Sequence, residues 1–160
     1  MTASTTISAR PLTVDEAMGR LTDLDLSMVR MKLADPVEGK GWSDDQLDLA
    51  EREYRRFLAL NLAYPEDSVV PCEIVDVVWH GHILDTAAYA QDCERAFGFF
   101  LHHFPYFGLR GPDDAAQLVD AYDQTINRYV AAFGEPPAGV WRPEAAMKCK
   151  RTACKRQKCT

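Results

Sequence analysis

All four histidines of this chain, His80, His82, His102 and His103, fall within the stretch 75–103, VDVVWHGHILDTAAYAQDCERAFGFFLHH. Two of them follow an acid, Asp76, at short spacing. At 3.6 residues per helical turn, Asp76 and His80 lie about 40° apart on one face, whereas His82 lies about 160° from His80. His82 shares its stripe with Trp79, Thr86, Tyr89 and Cys93. A regular helix therefore cannot aim His80 and His82 at one ion.

The chemistry this suggests is metal binding. Asp76 and His80 would supply an oxygen and a nitrogen, and His103, or as the lesser candidate His102, would return to them after the glycine at 98. His82 is a fourth candidate, with Trp79, Thr86 and Tyr89 lining the pocket. Mixed oxygen and nitrogen ligands suit zinc or non-haem iron, with an open position if the site is catalytic. The plain alternative is that Asp76 orients His80 while His82 bonds Tyr89 or a nearby carbonyl. Either way these groups need partners, because an unpaired buried polar group costs about 1–3 kcal/mol.

Other chemistry is less well supported. Cys93 lies about 16 Å along a helix from His82, too far for a thiolate–imidazole pair. Cys72 reads as a small buried residue or a thiol at a helix start. There is no glycine-rich phosphate loop. The aromatic run Phe97, Phe99, Phe100, Phe104, Tyr106 and Phe107 reads as a lid on the core.

The elements that must position these groups are helices. Thr13 with Glu16 forms a capping box ahead of Leu21, Leu24, Met28 and Met31, predicting a helix over 14–34. Ser43 with Gln46 opens a second, with Leu47, Ala50, Tyr54, Phe57, Leu58 and Asn61 inward and a charged, solvated outer face. A buried central helix follows over about 71–97, with Pro71 in its first turn and Gly98 as its stop. Gly111-Pro112 starts a fourth helix, which ends near Phe133 and Gly134. Trp141 is the large anchor of the segment beyond it.

The expected fold is thus all-α, four main helices bundled around the central one, as a single domain over 1–144 with 1–12 mobile. An irregular basic tail, 145–160, follows. Its Cys149, Cys154 and Cys159 stand at C-x4-C-x4-C spacing, short of the four thiolates usual for structural zinc.

Composition sets outer bounds. With 160 residues, 47% hydrophobic and 26% charged, the chain is long enough to bury a core. Net charge is −6, and since residues 148–160 carry six basic side chains and no acid, the preceding 147 carry −12. An acidic body argues against nucleic acid as a partner. No apolar run approaches the roughly 20 residues of a membrane span. The first residues lack the basic-then-apolar order of a signal peptide, so the expected compartment is the cytoplasm.

The W-H-x-H-x-L core (Trp79, His80, His82, Leu84) with the preceding Asp76 and the following Y-x-x-D-C (Tyr89, Asp92, Cys93) resembles the glycine-rich domain-containing protein-like family of plants and bacteria. Gly98, His103, Pro105 and Tyr106 extend the similarity over about 35 residues, with a looser match across 11–135. Plant members of that family carry such a region beside a glycine-rich segment and are associated with development and stress responses. This chain has no glycine-rich segment, so the resemblance implies the histidines as a recurring feature and no particular reaction.

Three functions follow as expectations. The first is a helical binding or interaction domain whose histidine-centred pocket takes a transition metal or a small polar ligand, with a small molecule or a protein as partner. The second is a metal-dependent enzyme acting on a small molecule or peptide. The third is a structural bundle whose Cys/Lys tail is the interaction element.

Overall fold

A computed structural model describes residues 10–141, and every regular element among them is helical. The helices are α1 (Val14–Arg20), α2 (Ser27–Ala34), α3 (Asp44–Ala63), α4 (Glu73–Leu84), α5 (Thr86–Asp92), a π-helical turn (Cys93–Phe97) and α6 (Pro112–Phe133). No helix among the described residues is long and apolar enough to cross a membrane. The tail cysteines Cys149, Cys154 and Cys159 lie outside the described residues.

Both expected capping boxes form. The Thr13 side chain accepts from the Glu16 amide while Glu16 reaches back to the Thr13 amide, and Ser43 and Gln46 do the same for α3. The single helix expected over 14–34 is instead two. Leu21, Leu24 and Leu26 all bury between them, at a spacing no one helix face offers, and the Asp25 carboxylate accepts the Ser27 amide at 2.9 Å to start α2. The carbonyl of Leu21, which also accepts the Leu24 amide in a turn, and that of Leu24 accept from the Arg55 guanidinium of α3. Arg55 is thus a clamp between α1 and α3, although its spacing assigns it to the solvated face of α3.

The stretch 71–97 is also interrupted. Cys72, not Pro71, precedes the first helical residue, and Asp85 leaves helical geometry (φ −82°, ψ 74°), ending α4 and capping α5 by accepting the Ala88 amide. The π-helical turn then ends at Gly98, whose left-handed φ of 75° favours glycine and whose amide donates to the carbonyls of Cys93 and Glu94.

α3 packs against α1, α2, α4 and α6, and α4 against α2, α3 and α5. Gly81 lets α2 come close: a Cβ there would stand 3.2 Å from a methyl of Val29. The core fills with aromatic bodies, among them Tyr54, Phe57, Trp79, Tyr89, Tyr122 and Tyr129, and Trp141 seats beside Tyr129 with ring centroids 5.2 Å apart. The segment after α6 is thereby anchored on the bundle.

Candidate metal centre

α4 is regular through Leu84, so the angular separation of its two histidines survives in three dimensions, and each enters a different environment. Asp76 and His80 face outward on adjacent turns. The His80 Nδ1 lies 2.7 Å from the Asp76 main-chain carbonyl and 3.3 Å from its Oδ1. A carbonyl can only accept, so Nδ1 carries the proton.

His103 joins them from the connection between Gly98 and α6. Its Nε2 lies 3.0 Å from Asp76 Oδ1, and its ring meets His80 at a centroid distance of 4.5 Å. The chain is brought back by a relay of buried aromatics: the Trp79 indole N–H donates to the Tyr89 hydroxyl at 3.0 Å, and that hydroxyl donates to the Leu101 carbonyl at 2.5 Å. Trp79 also packs against the His103 ring at 4.4 Å. Tyr89, placed in the pocket by spacing, therefore acts from behind it by fixing the backbone two residues before His103.

Asp76, His80 and His103 each present a potential ligand atom, all within 4.8 Å of one another. For metal bonds of about 2.1 Å, ligand atoms of one ion stand about 3–4 Å apart, so an adjustment of about an ångström would gather the three. Burial pushes the Asp76 carboxyl up, but hydrogen bonds from His103 and His80 outweigh it and hold the group well below the usual carboxylate range. It is therefore ionised at neutral pH. A cavity of about 680 Å3 opens onto the trio and is lined further by Trp79, His102, Phe104 and Arg110.

The remaining sequence candidates fall elsewhere. His82 is buried, with Nδ1 2.9 Å from the Tyr54 hydroxyl and Nε2 3.0 Å from Asp92 Oδ2, so both ring nitrogens are taken and it does not join the other three. His102 is exposed and stacks near Phe100, lining the cavity outside the trio. Thr86 is an exposed first residue of α5, turned away from the cavity by the break at Asp85. The aromatic run is not a sealed lid either, for Phe99, Phe104 and Tyr106 are exposed and form cavity wall.

Two networks went unread in the sequence. Asp92, itself held by Arg95 at 2.6 Å, holds His82, and it is this His82–Asp92 contact, ten residues apart, that the Asp85 break creates and no helical spacing signals. Glu53 is fully buried on α3 among Arg52, Arg56, Tyr129 and Trp141. It had a signal, standing three residues after Ala50 and four before Phe57 on the inward stripe.

A family model described as UCP032817-like matches residues 28–125, from α2 into α6. The chain belongs to the UCP032817-like family. The UCP032817-like region includes Asp76, His80 and His103 together with the Trp79–Tyr89 relay, and it stops short of Trp141. No curated protein matches the chain, and no solved structure does.

Proposed function

We propose that Asp76, His80 and His103 hold a transition-metal ion, zinc or non-haem iron, and that the domain binds a small ligand in the cavity beside it. The observation that carries this reading is the gathering of one carboxylate and two imidazoles around a common point, half-open to a cavity of ligand size. Two imidazoles and one carboxylate with room for a further ligand are the donor set of catalytic zinc and of non-haem iron alike. With the His80 proton on Nδ1 directed at a main-chain carbonyl, the arrangement that orients metal-bound histidines, Nε2 would be the nitrogen to turn to the ion. Metal binding through His103 Nε2 would require the proton that this nitrogen shares with Asp76 to move to Nδ1 or to leave. The resemblance to the glycine-rich domain-containing protein-like family stands within this proposal, since its Asp76, Trp79, His80, Tyr89 and His103 are the trio and its supports. We place the protein in the cytoplasm, where the buried free thiols Cys72 and Cys93 are at home.

One observation also favours a metal-dependent enzyme acting on a small molecule: the His80 side chain keeps 37% of its surface exposed, and among the described residues no packed aromatics seal the trio. The tail thiols provide the competing location for a metal. The test is zinc titration of the full chain under reducing, chelator-free conditions, with a competing chromophoric chelator. One equivalent is expected, retained when Cys149, Cys154 and Cys159 are all changed to serine and when His102→Ala is made. Asp76→Ala, His80→Ala and His103→Ala should each weaken it by about 100-fold, since even a hydrogen-bond partner of a ligand is typically worth 10–100-fold. Zinc lost with the three cysteines and kept in Asp76→Ala would place the ion on the tail and end this reading.

A further inference from the structure

The cavity wall has a chemistry of its own. Phe99, Phe104 and Tyr106 line the space beside the trio yet keep 43%, 54% and 49% of their surface exposed. Exposed aromatics lining one cavity, on a domain whose other described large rings are mostly buried, mark a surface that an apolar partner covers. The volume of about 680 Å3 is that of a site for an organic molecule and is far larger than an ion and its waters require.

Among the described residues, charge in the wall is already compensated apart from the trio. Arg110 donates to Asp114 at 2.6 Å and lies over the Phe104 ring, and Asp67 forms an ion pair with Arg128. A divalent ion on one carboxylate and two neutral imidazoles keeps a net charge of about +1, which favours an anionic oxygen ligand. The site thus pairs a single positive point with an aromatic wall.

We infer that the cavity takes a monocarboxylate with an apolar, aromatic-sized body, its head on the ion held by Asp76, His80 and His103 and its body against Phe99, Phe104 and Tyr106. This rests on the metal reading of the site. A dianionic or strongly polar ligand would leave the aromatic wall uncovered, and a bare apolar molecule would leave the ion without an anion.

Calorimetric titration separates the two layers of this account. 4-Phenylbutyrate and acetate are titrated into the full-chain protein after zinc addition, with zinc content measured on the same samples, and then into the Phe99→Ala/Phe104→Ala variant and into protein without metal. Phenylbutyrate is expected to bind the zinc protein at least about tenfold tighter than acetate, because only it buries apolar surface. That advantage should shrink several-fold in the double variant while zinc content is unchanged; both replaced rings are exposed, so the fold is spared. Binding should vanish without metal. Zinc uptake with equal affinity for the two acids, or with neither bound, overturns the ligand class and leaves the metal site standing. Failure to take up zinc overturns both.

Discussion

Glu53→Ala should lower the unfolding free energy by about 3–5 kcal/mol, the range for removing one member of a buried charged cluster. Glu53 is fully buried. Its Oε2 accepts from the Tyr129 hydroxyl at 2.7 Å and the Trp141 indole at 2.8 Å, and its Oε1 accepts from Arg52 and Arg56, each at 3.1 Å. Arg52 is half in water, so its share is screened. The loss comes mainly from the two buried donors left without an acceptor. Burial and the neighbouring carboxylate push the Tyr129 hydroxyl up to about 12, so it stays a donor at any working pH. Because Trp141 is held by this carboxylate, its near-ultraviolet dichroism should collapse with the stability. Urea unfolding followed by that signal is the check, and a cost below about 1 kcal/mol would show that the cluster is not what ties the Trp141 segment to α3.

His82→Ala should cost about 3 kcal/mol, combining a cavity in the core with the loss of partners for the Tyr54 hydroxyl and for Asp92. The same side chain should make stability depend on pH. Burial lowers the His82 pKa, and the hydrogen bond to Asp92 opposes this without reversing it. His82 is then neutral in the native state, donating from Nε2 to Asp92 and accepting from Tyr54, whose own hydroxyl is pushed well up by burial. In the unfolded chain a histidine titrates near about 6.5. Its contribution is fully present above that value. As pH falls below it the unfolded state binds the proton first, and stability declines towards the lower native pKa by at most about 1.4 kcal/mol per pH unit. Urea midpoints taken from pH 7.5 to 5.5 should fall in the wild type and fall less in His82→Gln. Parallel curves for the two proteins would assign the pH dependence to other groups.

Much of this architecture was readable before any coordinates. The two capping boxes, Gly98, Pro112 and Gly134 mark ends that the structure reproduces, because each acts through one or two local hydrogen bonds or one backbone angle. The break between α1 and α2 was hidden because apolar spacing runs through it. Met28 and Met31 fit that spacing yet are 60% and 61% exposed, while Val29 and Leu33 bury in their place. The period was real and the face was wrong.

The site divides along the same line. That His80 and His82 serve different environments follows from 100° per residue on a helix that stays regular to Leu84. The choice of His103 over His102 does not, since it is made by an irregular connection that Tyr89 ties down through Leu101. The exposure of Phe99, Phe104 and Tyr106 was equally out of reach, because an aromatic run is usually core and nothing local distinguishes a cavity wall from a lid.

The metal centre itself is tested most directly by locating the ion. Crystals of the zinc-loaded full-length protein, measured at the zinc absorption edge, should show one anomalous peak bonded to a carboxylate oxygen of Asp76 and to one ring nitrogen each of His80 and His103. The expected bond lengths are about 2.0–2.2 Å. A fully loaded crystal whose zinc lies elsewhere, with the contacts of Asp76 to His80 and to His103 intact, would contradict the account.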